Sequence, residues 1–351
     1  MPSYDRDRMA VPVAAIYGAN ASGKSNLLDG FHFMREAVLR SLGDWDAEGG
    51  VPRHPYRLDA GAQAELSTYV IEMVIESVPY MYGFTVDDER VREEWLYSYP
   101  EKRRRLLFER ENDDFKFGTK LGESKGKLQS LQELTRGNCL FLSAAVQFGI
   151  DSFMPVYHWF RISFVVGRKS NFLRRSTGRL ARRIASYLEA GDASRRMLVG
   201  LVSAADSGIT DIYVEETEDP KHVPRLERLL RDANERQDAD EVSRISQQIE
   251  QVRADGPRTM TEVKMVHGNY SRPFDIHDES AGTQAWFELL PDVLDALDRG
   301  RVLLVDEIDT SLHPLLTSRL VGLFQDEQTK PVRCAVDLHH ARHEPTGHDD
   351  G

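Results

Sequence analysis

Cysteine is scarce, positive charge is in deficit, and long apolar runs are missing. Two cysteines, Cys139 and Cys334, stand in 351 residues. They are too few for a disulfide framework and lack the paired spacing of a zinc site. No apolar stretch approaches the ~20 residues that cross a bilayer. The first eight residues carry several charges and no apolar signal core, so the expectation is a cytoplasmic chain with no membrane attachment. With 45 Lys and Arg against 57 Asp and Glu, the net charge is -12. That argues against indiscriminate coating of nucleic acid, which usually requires the opposite sign. What remains, 40% hydrophobic and 29% charged residues, suffices for one large or two ordinary domains with a full core.

The most specific feature lies near the start. Gly18, Ala19, Asn20, Ala21, Ser22, Gly23, Lys24 and Ser25 fit the phosphate-loop (Walker A) pattern GxxxxGK[ST]. An apolar run from Val11 to Tyr17 precedes it and predicts a buried strand. Leu27, Leu28, Phe31, Met34 and Val38 follow at helical spacing. Glycines at both ends let the backbone curl so that successive N–H groups point at one anion, and a helix starting near Lys24 adds its positive end. Lys24 is placed to reach the β and γ phosphates, and the Ser25 hydroxyl to hold Mg²⁺.

Gly43 to Ala64 reads as a loop rich in Gly, Pro and Asp. The period then changes to alternation: Tyr69, Ile71, Met73, Ile75; Tyr80, Tyr82, Phe84, Val86; Val91 through Tyr99; Leu106 and Phe108; Phe115 and Phe117. Short polar breaks separate the runs, which predicts an antiparallel meander. A short helix over Leu128 to Thr135 and an apolar strand over Cys139 to Leu142 come next, with Gln147 just beyond. Residues 151 to 205 read as mostly helical. Within them, Arg168 to Arg196 holds nine Lys or Arg against two Asp or Glu. That stretch is a solvated helical face or a contact for DNA phosphates. After a strand at Ile209 to Val214, the apolar positions Leu226, Leu229 and Ala233, then Val242, Ile245, Ile249 and Val252, recur at intervals of three and four. Asp238-Ala239-Asp240 breaks this pattern into an antiparallel hairpin of short coiled-coil character. Met260 to Val266 is the next strand.

Arg301 to Val305 is an apolar strand ending in Asp306 and Glu307, a Walker B pattern. A carboxylate at that edge suits Mg²⁺, assigned to Asp306, and Glu307 is then placed as general base toward the attacking water. Upstream, Ser280, Gly282 and Thr283 open a helix carrying Trp286, Leu289, Leu290 and Val293. Taken alone they fit an N-capping turn as well as an anion-binding edge.

The order of these parts resembles the heads of ABC-type ATPases, including those of chromosome-maintenance and DNA-repair proteins. More closely, the chain resembles the ABC-like bacterial AAA-family ATPases that include the overcoming-lysogenization-defect proteins and phage-defence relatives. The matching points are Gly18 to Ser25, Tyr82-Gly83-Phe84, Glu94-Trp95-Leu96, Leu140 to Ala145, Glu279 to Thr283, Asp306-Glu307-Ile308-Asp309 and Leu312-His313-Pro314. The resemblance implies an α/β fold, a P-loop NTPase of ABC-ATPase-head type with an antiparallel meander and an inserted helical, coiled-coil-like region. On that reading, residues 1–150 and 273–330 form the ATPase lobes, 151–272 the insertion and 331–351 an irregular tail. It implies ATP and Mg²⁺ as ligands. It also implies ATP hydrolysis by a homodimer paired head to tail, with each Ser280 to Thr283 loop closing on the nucleotide held by the partner copy. Gln147 then sits near the metal and the attacking water, and Asp309, Ser311 and His313 lie where a loop crosses the interface. An ordinary helix start before Pro314 explains His313 equally. The partner of such an ATPase is DNA or a separately encoded nuclease. The alternative is a nucleotide-gated binding module with little hydrolysis of its own.

The tail departs from the pattern. Residues 331–351 show no strand, and Cys334, His339, His340 and His343 fit no standard zinc spacing. Residues 333–351 can be back-translated with permitted codons so that the frame one base later reads GAQLIFTTHDTSLLGTMM, an apolar strand ending in Thr-Thr-His-Asp. The resemblance predicts such a strand here.

Overall fold

The structure, a computed structural model, describes residues 12–19, 22–55, 61, 65–167, 177–204, 208–218, 222–255, 259–268, 270, 272–308, 312–326 and 336–337. The chain divides into two compact units. One comprises residues 1–167, 295–306 and 321–351, the other 168–294 and 307–320.

The first unit is built on an antiparallel sheet, a separate two-stranded parallel ladder and the helices packed with them. Helix α1, Lys24–Arg40, buries Met34, Ala37 and Val38, part of the stripe that its spacing predicts. The meander follows as β1 (Ser67–Ile75), β2 (Val78–Val86), β3 (Val91–Ser98), β4 (Arg105–Glu111) and β5 (Asp114–Phe117), each antiparallel to the next. Asp87 turns the chain between β2 and β3 by accepting the N–H groups of Glu89 and Arg90 at 2.9 and 2.7 Å. Phe33 of α1 packs on Tyr69 and Phe84, with ring centroids 4.9 and 6.3 Å away. Such aromatic pairs add about 0.5–1.5 kcal/mol each beyond their burial.

Helix α2, Lys125–Leu134, opens on Ser124, whose side chain accepts the Lys127 N–H. The strand expected over Cys139 to Leu142 is not there. Leu140 is extended, and helix α3 begins at Phe141 and runs to Gln147. The cause is Glu94 on β3, fully buried, whose carboxylate accepts the N–H groups of Phe141 at 2.6 Å and Leu142 at 2.9 Å. Those are the donors a helix start leaves open. The same carboxylate accepts the Tyr82 hydroxyl at 2.9 Å and lies 3.9 Å from the Arg110 guanidinium. Burial pushes the Glu94 carboxyl above its ordinary value, although Arg110 and the hydrogen bonds pull it down. Burial likewise raises the Cys139 thiol to about 11, which leaves it protonated and inert at neutral pH.

Helix α4 (Met154–Ile162) is followed by β6 (Phe164–Gly167), a strand within a stretch expected to be helical. It pairs in parallel with β10 (Val302–Val305). The strand expected over Val11 to Tyr17 is not formed: its described residues, 12–17, make no ladder with any described residue. Without a bonded neighbour its apolar side chains stay uncovered, Ile16 at 49% and Tyr17 at 91% exposure. The tail, in turn, contains a strand that its sequence did not suggest. Val336–Asp337, β11, pairs antiparallel with Met73 and Glu72 of β1.

The second unit contains α5 (Thr177–Glu189), α6 (Asp192–Ser203) and the ladder of β7 (Ile209–Glu218) with β8 (Thr259–His267) and the short β9 (Phe274–Asp275). From the far end of the β7–β8 ladder projects the predicted hairpin, α7 (His222–Glu235) and α8 (Ala239–Asp255). Leu226, Ala233, Ile245 and Ile249 form its buried seam, with Leu230, Val242 and Val252 beside them. Leu229, assigned to that seam, instead points outward at 38% exposure, and Leu230 takes its place. Asp238 makes the break by accepting the Glu241 N–H at 3.0 Å. Helices α9 (Ala281–Arg299) and α10 (Pro314–Gln325) contribute residues to both units. Trp286 on α9 is fully buried and donates from its indole to the Leu201 carbonyl at 2.7 Å.

Candidate nucleotide-phosphate site

The loop before α1 has the shape its glycines permit. A Cβ on Gly18 would lie 2.4 Å from Ser22 Oγ, so a side chain there would force Ser22 to move. Gly23 adopts φ 89°, a left-handed conformation, immediately before the helix. The Ser22 N–H bonds back to the Ala19 carbonyl at 3.2 Å. Lys24 folds its ammonium across the loop and donates to the carbonyls of Gly18 at 2.7 Å and Ala19 at 2.9 Å. Asn20 and Ala21 lie outside the described residues.

The second half of the site arrives on β10. Its first N–H, at Val302, bonds the Ser163 carbonyl at 2.7 Å, and Arg301 is tied to Asp295 at 2.5 Å. The strand then delivers Asp306, whose Oδ2 accepts the Ser25 hydroxyl at 2.9 Å across 281 residues of sequence. A hydroxyl and a carboxylate at that separation, beside the loop, are hard oxygen donors of the kind Mg²⁺ takes, so the residues fit the ion. Glu307 follows with φ 50°. A left-handed conformation is unusual for a residue with a side chain, and such conformations cluster at functional positions.

Ser280 and Thr283 form a hydrogen-bonded cap at the start of α9. Ser280 Oγ accepts the Thr283 N–H at 3.2 Å and lies 2.9 Å from the Thr283 hydroxyl. The side of Gly282 that a Cβ would occupy has only Ser280 Oγ nearby, at 3.9 Å. The capping role is therefore realised. Gln147 ends α3 on the surface, and no hydrogen bond joins it to the loop or to Asp306 among the described residues. It leaves a helix, not a strand. His313 serves as a helix start: its carbonyl accepts the N–H groups of Leu316 and Thr317, and its Nδ1 that of Leu315. Asp309 and Ser311 lie outside the described residues, as do Cys334, His339, His340 and His343.

The basic stretch is partly neutralised within its own unit. Arg183 pairs with Asp292 at 2.8 Å, Arg195 with Asp211 at 3.0 Å, and Arg182 bonds the Gly178 carbonyl of its own helix. Arg174 and Arg175 are not described. Sequence reasoning missed two polar arrangements. One is Glu94 with Arg110 behind α3. The other is His267 with Glu279 before Ser280. Each pairs residues on different elements, and neither strand nor turn pattern singles out the charged residue that makes the pair.

A phosphate loop opening a helix, its lysine and serine in place, and an acidic strand end bonded to that serine define a P-loop nucleotide-binding protein of mixed α/β build. The chain belongs to the family described as "AAA domain, putative AbiEii toxin, Type IV TA system", whose profile matches residues 13–335. Proteins with AAA domains are generally ATPases, and such ATPases typically use ATP and Mg²⁺. No curated protein matches the chain. No helix among the described residues is long and apolar enough to cross a membrane.

Proposed function

We propose that this chain binds ATP with Mg²⁺ and hydrolyses it in an ABC-like arrangement, two copies pairing head to tail around the nucleotide. The observation that carries the reading is the 2.9 Å hydrogen bond from Ser25 to Asp306, which joins the two halves of a phosphate and metal site. The backbone N–H groups between Gly18 and Ser25 bind the β phosphate, and Lys24 moves from the loop carbonyls to the β and γ oxygens. Ser25 and Asp306 would hold Mg²⁺, which would supply charge stabilisation at the transferred phosphoryl group. Glu307 orients the attacking water and accepts its proton. Ser280, Gly282 and Thr283 close on the nucleotide of the partner copy, and Gln147 would sit near the metal and the attacking water. The work done with that energy acts on a separately encoded nuclease or on DNA, in phage defence. Because Arg183 and Arg195 are engaged in ion pairs, the protein partner is favoured over DNA.

The test is ATP turnover with Mg²⁺ over a range of protein concentrations, comparing the native chain with Glu307→Gln. Specific activity should rise with concentration, and the substitution should lower turnover by about 10²-fold or more while ATP binding persists. A flat concentration dependence would refute pairing. Binding without turnover in both proteins would favour the nucleotide-gated binding module.

A further inference from the structure

The Ser280 to Thr283 turn is gripped from the side by strand β8. His267, the last residue of β8, donates from Nε2 to Oε1 of Glu279 at 2.7 Å, and Glu279 is the residue immediately before Ser280. The Glu279 side chain is 6% exposed and that of His267 17%. Phe274 stands edge-on to the imidazole with centroids 4.9 Å apart and fixes its plane. Earlier on the same strand, Lys264 bonds Asp275 at 2.5 Å and Glu262 at 2.8 Å, anchoring the chain where it enters the turn. On the other side, the Gln284 side chain donates to the Glu279 carbonyl at 2.7 Å.

The start of the helix does not need this pair. Ser280 already accepts the Thr283 N–H, and the Ser280 carbonyl already accepts that of Gln284 at 2.9 Å. A carboxylate withdrawn from water costs free energy unless a partner compensates it. What the pair adds is a fixed direction for the backbone as it leaves Glu279, and so a fixed position for the hydroxyls and N–H groups of the next four residues.

We propose that His267 and Glu279 form a positioning pair that holds the Ser280 to Thr283 turn in the geometry needed to close on the partner copy's nucleotide. This inference rests on the head-to-tail reading above. Neither residue touches the nucleotide. Their removal leaves the phosphate loop of the same copy intact and disables only the turn it offers to its partner.

Complementation between variants of the full chain tests this. His267→Ala should bind ATP like the native protein yet lose turnover on the order of 10²-fold, the scale of a misplacement of about 1 Å. His267→Gln, which can still donate, should retain more activity than His267→Ala. Lys24→Ala should be inactive alone because its own loop is broken. Mixed, the two form hybrids in which the loop of the His267→Ala copy faces the intact turn of the Lys24→Ala copy. About one site in four is then whole in a two-fold dimer, and activity should reappear. That recovery also shows that His267→Ala is folded. Native-level turnover by His267→Ala alone would overturn the inference, as would mixing without recovery when both variants are folded. ATP-dependent pairing in a Glu307→Gln background, followed by sedimentation, provides a readout independent of chemistry: His267→Ala should weaken it at least tenfold. If the native chain hydrolyses ATP but never pairs, the head-to-tail reading fails first and the positioning role with it.

Discussion

At the scale of single residues, the chain spends its special positions in two ways. Gly18 and Gly23 serve the phosphate loop, where a side chain would meet Ser22 or a disfavoured φ. Gly83 serves packing. A Cβ there would lie 2.4 Å from Trp95 Cζ2 and 2.9 Å from the Tyr69 carbonyl, so the indole lies flat across β2 only because the glycine leaves room. Gly83→Ala is therefore expected to destabilise the first unit by about 1–3 kcal/mol, the usual cost of overpacking. Trp95→Leu should reduce that penalty when combined with it, because contacting substitutions do not add. Chemical denaturation of the four proteins measures both terms, and equal penalties in the two backgrounds would refute the steric account. The candidate loop from Gly18 to Ser25 and the acid pair after Val305 were legible in the sequence because phosphate chemistry demands residue types at fixed spacing. The pairings of Glu94 with the start of α3 and of His267 with Glu279 were not, because they join groups 47 and 12 positions apart that no local pattern links.

At the scale of elements, local pattern succeeded where an element's stability is local. The meander strands alternate in and out between polar turns, and the hairpin carries its own seam, so both were readable. The stretch Cys139 to Leu142 was misread as a strand because the group that opens a helix at Phe141, Glu94, lies 47 residues upstream of Phe141. β6 is four residues long and owes its existence to parallel pairing with β10; no short window distinguishes it from the helices around it. The hairpin's independence has a consequence. β7 and β8 pair from Ile209 opposite His267 to Glu218 opposite Thr259, so α7 and α8 are an extension beyond a completed ladder. Replacing residues 222–255 with a short Gly-rich turn should leave the fold and ATP binding within about twofold of the native chain, since loop closure over so few residues costs little. Circular dichroism should show the lost helix and nothing else. Loss of nucleotide binding in the shortened protein would mean that the hairpin supports the core after all.

At the scale of the whole molecule, one feature is out of keeping with the rest. The run leading into the phosphate loop is apolar, yet Ile16 and Tyr17 stand largely exposed and the run pairs with no described strand. The family profile stops matching at residue 335, two residues after the point where the alternative frame would begin. That frame supplies GAQLIFTTHD, an apolar strand of the length a sheet neighbour needs. The two anomalies answer each other: one apolar run pairs with no described strand, and the displaced frame encodes an apolar strand. A chain carrying the alternative frame from residue 333 should cover Ile16 and Tyr17, melt at a higher temperature and bind ATP more tightly than the native chain. Burying those two side chains alone should contribute about 1 kcal/mol for Ile16, already half covered, and about 1.5–3 kcal/mol for Tyr17. Calorimetry with and without ATP and Mg²⁺ measures the gain, and iodide quenching in variants that retain Tyr17 as their one exposed fluorophore reports its burial. A nucleotide sequence that cannot encode the alternative reading would remove its origin. Equal stability of the two chains would show that the exposed run is complete as it stands.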